Sequence, residues 1–235
     1  MNAILRKYLP FIYFMAAIIE ISGEILRTPD VTPWMVYISK PVLMPLLMLW
    51  MLIHEDTIDS IFRKCIFFGL FFSLAGDVFL MFHYETFFIF GLGSFLVAQI
   101  LYITGFTFNV ARSLPWGGRI IMAVPYIFYI IGFLYILYGH IVSDEATRPM
   151  LIPVIVYASA IGAMGMTASW RVAATKKKSF YMVLVGALLF ILSDSLIAIN
   201  KFVVAIPYVA VGVMSTYTTA QFLITKGSLA HQKPR

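Results

Sequence analysis

Eight runs of about 20 mainly apolar residues follow one another along this chain, joined by loops too short to hold a folded domain. That pattern leaves few folds open. Inside a bilayer no water can satisfy a bare peptide group, so each run must close its own backbone hydrogen bonds, as only a helix does. The runs lie near residues 8–26, 35–53, 62–82, 86–108, 119–138, 149–171, 180–200 and 202–224. The fold expected is all-α: a polytopic membrane protein of eight transmembrane helices forming one domain over residues 1–235. Charge content agrees, since only 12% of residues are charged, about half the 25% of soluble domains. Arg6 and Lys7 precede the first run as in a signal peptide, but Glu20 and Glu24 interrupt it. No small-residue cleavage site follows, so it reads as a retained helix.

Orientation comes from the basic residues. One face of the membrane receives Arg6, Lys7, Arg63, Lys64, Arg112, Arg119, Arg171, Lys176, Lys177, Lys178, Lys226, Lys233 and Arg235. The other receives Arg27, Arg148 and Lys201, with Lys40 near the start of the second run. The positive-inside rule then puts both termini in the cytoplasm. The same distribution accounts for the net charge of +6 without a nucleic-acid partner. Tyr84, Trp116 and Trp170, near run ends, fit interfacial anchors.

The two halves echo one another in order, which suggests a four-plus-four repeat over about 8–110 and 119–226. Leu9-Pro10 matches Val124-Pro125, and Lys40-Pro41 with Pro45 matches Arg148-Pro149 with Pro153. Gly69 and Gly186 each stand eight residues before an aspartate, Asp77 and Asp194. Ala98-Gln99 matches Ala220-Gln221. Four runs per half is an even number, so the repeat is of the parallel type.

A charge at the centre of an isolated membrane helix costs about 2.5–3.5 kcal/mol on the insertion scale, so it faces a partner or a cavity. On the topology above, Glu20, Lys40, Asp77, Arg148 and Asp194 all fall within about 10 Å of the non-cytoplasmic boundary at 1.5 Å per residue. Gln99 and Gln221 are expected deeper. Asp77 and Asp194 can pair across the pseudo-axis, with Gly76 and Ser193 permitting close helix approach. The same residues also read as plain structural ion pairs, Asp77 with Lys40 and Asp194 with Arg148. His54, His83 and His140 stand at run ends and His231 in the tail, a poor arrangement for a three-ligand zinc site. No serine-hydrolase or phosphate-loop motif occurs. Carboxyl chemistry remains, with neither metal nor cofactor expected.

Several of these positions carry a family likeness. Lys40-Pro41, Gly76-Asp77 with Val78-Phe79-Leu80, the Gly91/Phe95/Tyr102 run, Ser193-Asp194-Ser195-Leu196-Ile197-Ala198 and Ala220-Gln221 resemble the YhhN/TMEM86 family. Gln99 departs from it, standing where many relatives carry histidine. The resemblance implies a lysoplasmalogenase, which hydrolyses the vinyl ether of a lysophospholipid to a fatty aldehyde and a glycerophospho-ethanolamine or -choline. It also implies Asp77 and Asp194 as the catalytic residues. A vinyl ether is cleaved by protonating the carbon beta to oxygen and adding water to the resulting oxocarbenium ion. One carboxylic acid and one carboxylate suffice, much as in glycosidases; which aspartate plays which part stays open. Lys40 and Arg148 could hold the substrate phosphate, with Glu20 balancing their charge and Gln99 and Gln221 lining the site. The alternative reading is a small-molecule or lipid transporter, with the prolines interrupting its helices. The short loops lean towards a bacterial inner membrane, with the active site nearer the non-cytoplasmic face.

Overall fold

The computed structural model describes residues 2–28, 33–54, 61–82, 85–110 and 114–231. His83, Tyr84, Arg112, Lys233 and Arg235, used above, lie outside the described residues. Among those described there are eight α-helices and no strand: α1 (Asn2–Ile25), α2 (Trp34–Ile53), α3 (Ile61–Leu80), α4 (Glu85–Thr107), α5 (Trp116–Ser143), α6 (Leu151–Ser169), α7 (Lys177–Phe202) and α8 (Val209–Leu229). Short 3-10 turns, Arg148–Met150 and Trp170–Ala173, flank α6.

Helices α2 to α7 begin within three residues of their expected starts. The first begins earlier because hydropathy registers only the apolar part of a helix. Its polar first turns continue the same backbone, and the Arg6 guanidinium donates to the Ile53 carbonyl at 2.9 and 2.6 Å. The last helix begins later than expected. Residues 202–206 are apolar but belong to the end of α7 and the turn after it, where Val203 and Val204 still donate to Ile199. The Ile206 N–H is taken by the Asn200 side chain at 2.8 Å, and Tyr208 adopts a left-handed φ of 53° before α8 starts. Hydropathy cannot tell such an apolar turn from a helix.

Among the described residues five helices are long and apolar enough to cross a membrane: α2, α4, α5, α6 with its flanking turns, and α7. The chain is an integral membrane protein. The other three, α1, α3 and α8, bury Glu20, Glu24, Ser73, Asp77 and Gln221 among their polar side chains. Helix α8 packs against α1, α2, α3 and α7, and its Thr218, Gln221, Thr225 and Ser228 are buried. The apolar α5 lies at the other extreme, with Ile121, Phe128 and Tyr135 among its exposed side chains. Apolar surface outside and polar side chains within is the arrangement a bilayer demands, since lipid supplies no hydrophobic drive between helices and hydrogen bonds and close packing must hold them. Tyr13 of α1 donates to the Thr218 carbonyl at 2.8 Å, and Ser179 of α7 donates to the Gly227 carbonyl at 2.7 Å. The prolines do not break the bundle. Helix α2 is continuous through Pro41 and Pro45, while Pro149 and Pro153 sit in the turn before α6 and in its first turn, where the missing N–H costs nothing. The helix interruptions on which the transport reading drew are absent at these prolines.

Two glycines set helix spacing. A Cβ on Gly69 of α3 would run into the Tyr102 ring of α4. On Gly186 of α7 it would lie 2.9 Å from the Ala220 carbonyl oxygen and 3.1 Å from the Ile224 nitrogen. Because the second obstacle is backbone, α8 itself must move. Gly186→Val is expected to cost about 1–3 kcal/mol or more through overpacking. Thermal unfolding in detergent reads this as a lowered midpoint, and an unchanged midpoint would contradict the close approach of α7 and α8.

Candidate functional site

Asp77 lies on α3 and is buried. Gly76 before it lets the Phe95 ring of α4 pack closely, since a Cβ there would fall 2.6 Å from ring carbons. One Asp77 oxygen accepts a hydrogen bond from the Tyr217 hydroxyl of α8 at 2.8 Å. Asp194 lies on α7 and accepts a short hydrogen bond from the Tyr157 hydroxyl of α6. Gln99 of α4 donates to the same oxygen at 3.4 Å. The two carboxyl groups are linked through Tyr217 and Phe95: Tyr217, which holds Asp77, packs edge-on against Phe95 at 5.8 Å, and Phe95 lines the same cleft as Asp194. Each is therefore held by a phenol from a different helix, and together they draw α3, α4, α6, α7 and α8 to one place.

The two glutamines separate in role. Gln221 accepts from the Tyr102 hydroxyl at 2.7 Å and donates to Ser73 at 2.9 Å, locking α8 to α3 and α4. Gln99 meets Asp194, and its carbonyl oxygen is buried without a hydrogen-bond partner. Gln99 thus belongs to the surroundings of Asp194 and joins α4 to α7.

Lys40 stands between two acids of α1, 4.0 Å from Glu20 and 3.7 Å from Glu24. Arg27 caps the other side of Glu24 at 3.1 Å. The ion pairs of Lys40 are with α1. Glu20 is fully buried and neither oxygen has a hydrogen bond. Arg148 is not part of this layer. Its side chain turns back to the end of α5, where Nε and Nη2 donate to the Val142 carbonyl at 3.3 and 3.0 Å. A guanidinium in the α5–α6 connection finds the unsatisfied carbonyls of a helix C-terminus nearer than any carboxylate, so the expected pairing with Asp194 does not form.

Asp194 opens on a narrow cleft with a cavity volume of about 50 Å³. Side chains of α4, α5, α6 and α7 line it, with Leu80 of α3. Tyr129, Tyr157, Asp194 and Ser195 supply its polar groups, and the remaining walls are apolar, among them Phe88, Phe133, Leu137 and Phe202. Tyr129 bonds to Ser195 at 2.8 Å and also lines a second cleft, bounded by Pro125, Tyr126, Leu188 and Ile191. Asp77 faces the polar interior instead. Among the described residues no three His, Cys, Asp or Glu side chains gather as a metal site.

Tyr102, Tyr129, Tyr157 and Tyr217 are the residues that sequence reasoning missed as ligands of the polar groups, and for Tyr102 and Tyr217 the sequence carried a hint. Tyr217 precedes Gln221 by four residues and Tyr102 follows Gln99 by three, each pair on one helix face. A buried phenol in a membrane helix needs a partner, and these had polar residues one turn away.

The YhhN family model matches residues 35–228. Bovine "Lysoplasmalogenase TMEM86A" is 33% identical over 175 residues, covering 72% of this chain and 67% of that protein. A Mycobacterium tuberculosis protein named "Lysoplasmalogenase" is 33% identical over 160 residues, covering 68% of this chain and 58% of its own length. Human "Lysoplasmalogenase TMEM86B" is 28% identical over 167 residues, covering 69% and 62%. The alignment thus spans less than two thirds of the last two relatives. No solved structure matches.

Proposed function

The chain belongs to the YhhN family, and on that premise we propose that it is a lysoplasmalogenase-like ether hydrolase, cleaving the vinyl ether of a lysophospholipid drawn from the bilayer. The observation that carries this reading is Asp194, a carboxyl group in an otherwise largely apolar cleft, with Asp77 reached from it through Phe95 and Tyr217. An alkenyl chain fits such walls, and the one bond to be broken lies at the junction of its apolar and polar parts.

In this mechanism Asp194 is the acid because it lines the cleft. Its proton goes to the vinyl carbon beta to oxygen, and the π electrons form the new C–H bond. The oxocarbenium ion left behind is stabilised by the nearby negative charge of Asp77 and by the Asp194 carboxylate itself. Water adds to the carbon bearing the ether oxygen and gives a proton back to a carboxylate. The hemiacetal hydroxyl then gives its proton to a carboxylate as its electrons form the aldehyde carbonyl; the C–O bond to glycerol breaks, the glycerol oxygen takes a proton from the carboxyl pair, and the aldehyde departs. Tyr157 and Tyr217 hold the two carboxyl groups in position throughout.

The membrane arrangement belongs to the same proposal. All eight helices cross the bilayer, both termini are cytoplasmic, and the halves form a parallel repeat in a bacterial inner membrane with the site nearer the non-cytoplasmic face. The contacts of Gly69 with α4 and Gly186 with α8 support the repeat, for each glycine stands two turns before its aspartate and lets the following helix approach. The test is direct. Purified protein in mild detergent, given ethanolamine or choline lysoplasmalogen, is expected to release fatty aldehyde, followed through a coupled dehydrogenase. Folded protein that releases none from either lipid would overturn the assignment.

A further inference from the structure

We propose that Lys201 is the headgroup anchor of this cleft, its ammonium holding the substrate phosphate while Asp194 meets the vinyl ether. This rests on the hydrolase reading above and names the polar half of its substrate site.

Lys201 stands at the α7 end of the cleft. Its Nζ lies 4.2 Å from the centre of the Phe88 ring and 5.9 Å from that of Phe202, and both rings line the cleft that contains Asp194. Ring faces attract a cation without neutralising it, so the ammonium keeps its charge for an anion. Among the described residues it has neither an ion pair nor a hydrogen bond. The two cations that the sequence offered for phosphate are engaged elsewhere, Lys40 with Glu20 and Glu24 and Arg148 with the Val142 carbonyl.

Spacing provides the second argument. Asp194 and Lys201 are seven residues apart on one helix, hence on the same face and about 10 Å apart along its axis. In a lysoplasmalogen seven covalent bonds separate the vinyl carbon to be protonated from the phosphorus, a reach of about 9 Å when extended. Substrate and helix therefore match in length. With phosphate on Lys201 and the vinyl ether at Asp194, the hydrocarbon chain continues past Tyr129 towards Leu188 and Ile191, which line the second cleft. A phosphodiester carries one diffuse negative charge, which the point charge of a lysine suits.

The test separates the anchor from the chemistry. Equilibrium binding in detergent is measured for a saturated 1-O-alkyl lysophospholipid, which cannot be hydrolysed, and for the corresponding 1-O-alkylglycerol, which lacks phosphate. Lys201→Gln is expected to weaken the phospholipid about tenfold, as for loss of one charge-assisted hydrogen bond, and to leave the alkylglycerol unchanged. Lys201→Arg is expected to bind the phospholipid within about threefold of wild type, since it retains the charge. Turnover follows suit, with KM raised for lysoplasmalogen in Lys201→Gln and kcat preserved. Equal binding of the phospholipid by wild type and Lys201→Gln overturns the proposal. So does an equal loss for both ligands, which would make Lys201 a wall of the cleft and no more. Wild type that binds the phospholipid through Lys201 yet releases no aldehyde would instead remove the hydrolase reading and leave the anchor standing.

Discussion

Asp194→Asn is expected to lower kcat by about 10³-fold, within the range for loss of a general acid, while the protein stays folded. The asparagine carbonyl can still accept from Tyr157, and its amide can satisfy the Gln99 oxygen that has no partner in the native site. What disappears is the only ionisable group among the residues lining the cleft, apart from the phenols of Tyr129 and Tyr157. Asp77→Asn keeps the acceptor for Tyr217 but loses the second negative charge, and is expected to lower kcat by about 10²-fold. The double variant should be little worse than Asp194→Asn, since residues acting as a unit do not add. Aldehyde release and thermal midpoints, measured together, decide the matter. Turnover within a few-fold of wild type in a folded Asp194→Asn protein would remove this carboxyl from the mechanism.

Lys40→Met is expected to have the largest effect on stability, a loss of about 3–5 kcal/mol, the usual result of stripping one partner from a buried ion pair. Glu20 then stands fully buried beside Glu24, with no cation of its own and no hydrogen bond to either oxygen. Glu24 suffers less, because Arg27 stays at 3.1 Å. The readout is the midpoint of thermal unfolding in detergent. Adding Glu20→Gln should recover most of the loss, because the uncompensated charge goes with it. A midpoint unmoved by Lys40→Met, or a double variant no better than the single, would show that the α1–α2 ion pairs contribute nothing to the fold.

The membrane class, the helices and the family were legible in the sequence, and so were the two aspartates as residues in need of a reason. These depend on local properties. An apolar run of 20 residues must be a helix in lipid whatever surrounds it, and a carboxylate within such a run is costly whatever it meets. Helix ends were legible to within a turn except at the start of α1, the end of α5 and both ends of α8, where the apolar run and the hydrogen-bonded run differ in extent.

What the sequence left open was which side chains meet, because helix rotation and tilt are set by packing against neighbours and not by hydropathy. Lys40 was equally compatible with Asp77 and with the glutamates of α1; the close approach of α1 and α2 chose the glutamates. Arg148 was compatible with Asp194 until the turn before α6 brought it to the end of α5. No periodicity revealed that Tyr157 and Tyr217 would reach the two carboxyl groups from other helices, or that α4 and α5 would stand on either side of α6 and leave a cleft at Asp194. The chain alone therefore determined what had to be buried in the bilayer. Tertiary structure decided how the buried charges were partnered, since the hydrogen bonds to both aspartates join residues far apart in sequence and exist only once the bundle has closed.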